Sequence, residues 1–196
     1  MFVPAESDGR PLLIVMHGDD QTAAAMADAF RATAKERDWA LFAPQCPVKL
    51  KCDQESFWRW NGDPSWLGNM VDALVRDNDL DRDRVHLATW SGGGSYIGYR
   101  LPELGPRYAS IAFLGGAAYF GPCAKPKVPV FFLAGDKSPY FTWIKQARDR
   151  FLSCGHDLTW KELKGKDHDD EWHIIGSPTM QATVFDFLEA HPRARR

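Results

Sequence analysis

The stretch HLATWSGGGSYIG, from His86 to Gly98, decides how the rest of the chain is read. An apolar run, RVHLAT, leads into Trp90 and Ser91, and three glycines follow at once. Glycine inside a helix is about 1 kcal/mol worse than alanine, and it also weakens a strand. Three together therefore mark either a loose surface loop or a place where a Cβ would keep the backbone from something it must approach. SYIGYRLPEL then has helical spacing up to Pro102, which puts Ser91 at a sharp turn from strand into helix.

The segments on either side repeat that alternation. PLLIVMHG gives a strand over Leu12 to Met16, and TAAAMADAFRATAKERD a helix capped by Asp20 or Thr22. WALFAP, from Trp39 to Pro44, is a second buried strand, followed by an irregular stretch from Gln45 to Pro64. WLGNMVDALVRDND has Leu67, Met70, Val71 and Leu74 at helical spacing. YASIAFLGG and VPVFFLAGD read as buried strands, TWIKQARDRFLSCG as a helix stopped at Gly155, and HDLTWKELKG as an alternating strand near a sheet edge. SPTMQATVFDFLEAH closes the chain as a helix with Ser177 as cap and Pro178 in its first turn. Such alternation predicts an α/β fold: one domain over residues 1–196, with a mostly parallel central sheet, helices on both faces and no cap domain.

Composition narrows the function. With 44% apolar and 26% charged residues the chain is globular in character, and its formal net charge of −2 makes no case for nucleic acid or an anionic membrane. No apolar run approaches the ~20 residues needed to cross a bilayer. The opening MFVPAESDGR lacks the pattern of a signal peptide, so the expected compartment is the cytoplasm, or the exterior if a leader precedes this sequence. The four cysteines form no CxxC pair and no zinc-ligand spacing. Cys46 and Cys52 can close a short loop in an exported protein, but the expectation is four separate reduced thiols.

At the carboxyl end of a parallel strand, a serine in a strand–turn–helix suits a nucleophile elbow, G-x-S-x-G. Gly93 supplies the small residue at +2, whereas Thr89 departs from the pattern at −2. Gly92 offers an N–H to an oxyanion, and the loop HGDDQT after the first strand offers a second from Asp19. The acidic side chains of Asp19 and Asp20 are expected to point away from it. His17, Asp19 and Asp20 are too close in sequence to surround one ion, so no metal is expected. A phosphate loop would need a lysine that GGGSY lacks.

Serine needs a base, and the base an orienting acid, in the order Ser, acid, His along an elbow chain. Asp136 directly follows the most hydrophobic strand, whereas Asp157 precedes its own. GKDHDDEWH offers His168 and His173, and His168 is preferred because it comes sooner, in a polar turn suited to a mobile loop. Trp60, Trp90 and Tyr140 are candidate substrate contacts.

These residues resemble the α/β-hydrolase superfamily, and within it the lidless polyhydroxybutyrate-depolymerase and feruloyl-esterase-like branch. HGDDQT is similar to that branch's HG-x-x-Q-T loop, APQ to its strand-end segment, and CDQESFWRW to its cysteine-and-tryptophan stretch. LDRDRVHLATWSGGGS resembles its elbow block except at Thr89, while LAGDKSPY and KGKDHDDEW stand where it keeps acid and base. The resemblance implies cofactor-free hydrolysis of a small-molecule or polymer ester by Ser91, Asp136 and His168, with Asp19 and Gly92 as oxyanion hole. The crowded acidic residues are unlike the branch and leave the substrate open, as is the choice between monomer and dimer. Rival readings are a peptidase or thioesterase on the same fold, or a binding protein that kept the fold without turnover.

Overall fold

The computed structural model describes residues 2–3, 9–47, 52, 58 and 63–194. Its strands are β1 (Leu12–Met16), β2 (Ala40–Phe42), β3 (Val85–Trp90), β4 (Ile111–Leu114), β5 (Val130–Gly135) and β6 (Leu158–Leu163). They form one sheet in the order β2-β1-β3-β4-β5-β6, with every neighbouring pair parallel. Phe2 adds an antiparallel bridge to Leu41 at the outer strand. The helices are α1 (Ala23–Glu36), α2 (Ser65–Asp77), α3 (Ser91–Tyr99), α4 (Leu101–Leu104), α5 (Phe141–Ser153), α6 (His168–Ile175) and α7 (Pro178–Glu189).

The side-chain period of two explains why β1 and β5 are continuous apolar runs and why β3 is buried throughout, with His86 and Thr89 as its polar residues. Leu12, Ile14 and Met16 face one core with Val71 of α2, Ile97 of α3 and Phe151 of α5. Leu13 and Val15 face the other, with Phe30 of α1, Ile175 of α6 and Phe185 of α7. A strand covered on both sides has no use for alternation. The edge strand β6 keeps it, alternating between half-buried and exposed over most of its length as its sequence predicted.

After β2 the chain returns across β1 to lay down β3 on the other side. The loops leaving β1 and β3 therefore diverge, and such a switch point opens a crevice at the carboxyl ends of the strands.

The structure revises three expectations. First, α3 begins at Ser91 itself, so the three glycines are helical. A Cβ on Gly93 would meet the carbonyl oxygen of His17, one on Gly94 that of Gly116, and one on Gly98 that of Ala118. The helix lies directly on backbone, which only glycine permits. Second, Pro102 lies in the first turn of α4 and does not end α3; there its missing N–H is no loss. Third, the thiols expected to be reduced are paired. Cys46 bonds Cys52, and Cys123 bonds Cys154 across a sequence separation of 31 residues with the Cα atoms 5.4 Å apart. Closing a loop of that length stabilises the fold by about 3–4 kcal/mol through the unfolded chain.

Three histidines are buried: His17, His86 and His156. His86 Nδ1 lies 2.8 Å from Ser110 Oγ, and burial, aided by the charges of Arg84 and His191, lowers its pKa to about 3. Burial also lowers His17 and His156. Between about 3 and the ordinary 6.5 the unfolded chain binds the proton that folded His86 refuses. Stability is therefore fully present above pH ~6.5 and lost as pH falls, with His86 alone contributing on the order of 2–3 kcal/mol of loss by about pH 4.5. Urea melts from about pH 4.5 to 8 should show that slope, and His86→Gln should flatten it. For glycine the sign is testable at Gly98. In place of the usual helical gain, Gly98→Ala should cost about 1–3 kcal/mol in the same melts, because its Cβ overlaps the Ala118 carbonyl.

Candidate active site

Ser91 reverses the chain within one residue. Trp90 is still extended at φ −114° and ψ 135°, whereas Ser91 has φ +46°. Left-handed backbone is unfavourable for a residue with a Cβ, by about 1–3 kcal/mol in a sparsely populated region. Neighbouring backbone holds it there. A Cβ on Gly116 would overlap the Ser91 backbone, and one on Gly18 would lie 2.6 Å from the Trp90 ring and 3.1 Å from Ser91 Cβ. Thr89, the departure from the elbow pattern, donates its hydroxyl to the Ala112 carbonyl at 3.2 Å and is accommodated by Gly94, where a Cβ would lie 2.9 Å from that hydroxyl.

His168 is the first residue of α6, not part of an irregular turn. Asp167 caps that helix by accepting from the Asp170 N–H at 3.0 Å, and the Asp170 side chain accepts from the Asp167 N–H in return. His168 Nε2 lies 3.0 Å from Ser91 Oγ. Its ring stacks on Trp90, with centroids 4.5 Å apart and planes 11° apart, and meets the edge of Tyr140 at 4.7 Å. The imidazole is thus clamped on two sides. His173 is exposed in the last turn of α6, away from these contacts.

The carboxylate on this histidine is Glu171, one turn along α6. Its Oε2 lies 2.6 Å from His168 Nδ1, and its Oε1 accepts from the Gly135 N–H at 2.5 Å. An ionised carboxylate only accepts, so Nδ1 carries the hydrogen and Nε2 is free to accept from Ser91. Asp136 stands at the end of β5 as expected, but the structure does not bring it to His168. Its Oδ1 accepts from the Gly165 N–H at 2.6 Å, in the turn between β6 and α6. The strand-end rule favours Gly135-Asp136, and GKDHDDEWH reads from sequence as a polar turn. Read as a helix, the same residues place His168 and Glu171 three apart on the face of the buried Ile175, which is the signal that finds Glu171.

The loop after β1 is fixed from beneath. His17 Nε2 accepts from the Cys46 N–H at 3.1 Å, which leaves Nδ1 to donate to the Gly18 carbonyl at 2.6 Å. Trp58 donates its indole N–H to the His17 carbonyl at 2.8 Å and its backbone N–H to Asp19 Oδ1 at 3.0 Å. The Asp19 carboxylate lies against Gly92, where a Cβ would strike it, so it does not point away as expected. Asp20 does remain exposed, at φ +60°.

Asp19, Asp20, Gly92, Tyr140 and Trp143 line one cavity of about 320 Å³ with Ser91 and His168. Tyr140 and the 64% exposed Trp143 form its aromatic rim. Trp90 is buried behind His168, so it backs the imidazole and does not face substrate. Trp60 falls outside the described residues.

No family model matches the chain. Among curated proteins it is similar to the bifunctional acetylxylan esterase/xylanase XynS20E of Neocallimastix patriciarum, 24% identical over 152 residues. That match covers 72% of this chain and 22% of the relative, so the chain spans about a fifth of the relative's length. Among solved structures, esterase PE8 has a TM-score of 0.71 at 16% identity, covering 97% of this chain and 96% of its own. The carboxylesterase from Mesorhizobium loti has a TM-score of 0.72 at 14% identity, covering 93% and 90%. The fold is that of the α/β-hydrolases.

Proposed function

We propose that the chain is a serine carboxylesterase working through an acyl-enzyme. The observation that carries this reading is the 3.0 Å approach of His168 Nε2 to Ser91 Oγ on a left-handed turn. His168 takes the hydroxyl proton as Ser91 attacks the ester carbonyl, and the imidazolium is stabilised by a carboxylate at Nδ1. The backbone N–H groups of Asp19 and Gly92 receive the oxyanion; losing one such donor typically costs 10²–10³ in rate. His168 then protonates the leaving alkoxide, and water repeats the sequence to release the acid. The esterases that share the fold are in keeping with this chemistry.

Charge and shape narrow the substrate. The described residues lining the cavity include Asp19 and Asp20 but no lysine or arginine, so an ester bearing a carboxylate or phosphate is disfavoured. The Tyr140 and Trp143 rim offers flat surface to a ring, aromatic or sugar. An acetyl ester on a neutral saccharide fits both features and agrees with the name of the curated relative. Two disulfides favour an oxidising compartment over the cytoplasm expected from sequence.

The test is labelling by a fluorophosphonate together with turnover of p-nitrophenyl acetate. Wild-type protein should label and turn over, and Ser91→Ala should abolish labelling and lower kcat by at least about 10³-fold. Folded wild-type protein that neither labels nor hydrolyses would remove the esterase reading in favour of a binding protein.

A further inference from the structure

We infer that Glu171, not Asp136, is the acid that positions His168, so that base and acid form one unit on a single helix. The inference rests on the esterase reading for its kinetic consequences and on geometry for the assignment itself. Glu171 is fully buried, and each of its oxygens has a partner: Gly135 N–H on Oε1 and His168 Nδ1 on Oε2. A buried carboxylate is costly unless both its charge and its lone pairs are met. Here the sheet supplies one donor from the end of β5 and the base supplies the other.

The space for this carboxylate is built into the backbone. Gly115, just beyond β4, has φ +63°, and a Cβ there would lie 2.7 Å from Glu171 Oε2 and overlap the Trp90 ring. Glycine at that position leaves room for acid and indole together. Trp90 in turn stacks on the imidazole that Glu171 holds. Ring orientation and tautomer are therefore set by two contacts that depend on the same gap.

Asp136 has a different task. The Lys137 N–H pairs with the Lys166 carbonyl at 2.9 Å, and the Asp136 N–H with the Leu163 carbonyl at 3.1 Å, so the segments after β5 and β6 pair past the end of the sheet. The Asp136 side chain continues that pairing to the Gly165 N–H, where Gly165 has φ +70°. It pins the turn that launches α6 and makes no contact with the imidazole.

The exchange Glu171→Gln is specific in its chemistry. A carboxamide still accepts from Gly135 through its oxygen, but it presents an N–H to His168 Nδ1. That drives the imidazole hydrogen to Nε2, where it can no longer accept from Ser91. With p-nitrophenyl acetate, Glu171→Gln should lower kcat by about 10³–10⁴-fold, with KM within a few-fold. Its residual rate should keep climbing with pH as hydroxide replaces the base, where wild type levels off. Asp136→Asn should keep activity within about 10-fold while lowering Tm. By NMR, wild-type protein should show a strongly deshielded imidazole N–H resonance that Glu171→Gln removes and Asp136→Asn preserves. A resonance kept in Glu171→Gln and lost in Asp136→Asn, or a 10³-fold loss confined to Asp136→Asn, would overturn the assignment. The resonance needs no turnover, so a wild-type protein inactive on esters would refute the esterase reading and still leave this assignment decided. Were Glu171→Gln unable to fold, retained activity or a retained resonance in Asp136→Asn would still support the assignment, and loss of both would overturn it.

Discussion

The carboxyl end of the sheet is organised by one constraint, the reversal of the chain at Ser91 with φ +46°. Here β3 passes into α3 with no loop between them, through one left-handed residue, and a serine in that conformation is held only if its surroundings allow no other path. Gly18, Gly93, Gly94 and Gly116 make those surroundings, because each places backbone or ring atoms where a Cβ would stand. The glycines that look like a flexible loop in the sequence are the rigid part of the site. They let α3 rest on the ends of β1 and β4, and that contact points Ser91 Oγ toward His168.

Around that turn, polar groups are held in place by burial and by paired hydrogen bonds. His17 stays neutral because burial disfavours its cation, and its two nitrogens tie the Cys46 N–H to the Gly18 carbonyl. Trp58 adds a second strap across the same loop. On the other side, Trp90, Tyr140 and Glu171 fix the imidazole by stacking, edge contact and hydrogen bonding. For the proposed reaction, preorganisation of this kind would leave no group needing to turn to meet the developing charge. The Asp19 carboxylate lies beside Gly92, at the start of α3.

Much of this was legible from residue order. Leu12–Met16 and Val130–Gly135 are apolar without alternation because parallel strands covered on both faces need no polar side. Ser91 was found from its place between strand and glycines, and His168 from its place after the last strand. Asp136 misled for the same reason that it attracted attention. Strand-end position says where a side chain begins but not what its oxygen meets, and the Gly165 N–H is nearer than the imidazole. Cys123 and Cys154 were opaque too: no spacing reveals that the loop after β4 returns Cys123 to the end of α5.

Local chemistry therefore settles what repeats along the chain: strand, helix, turn, and the residue at each strand end. Pairing across the fold settles the rest, because it depends on distances between segments far apart in sequence. The chain alone determined an open parallel sheet with Ser91 at the carboxyl end of a central strand. Only tertiary structure decided that Glu171 reaches His168, that Trp90 backs the ring and that the cysteines are bonded. The first two rest on the gap that Gly115 leaves, and the bond from Cys123 to Cys154 on two segments that the fold brings together; sequence does not record the shape of that space.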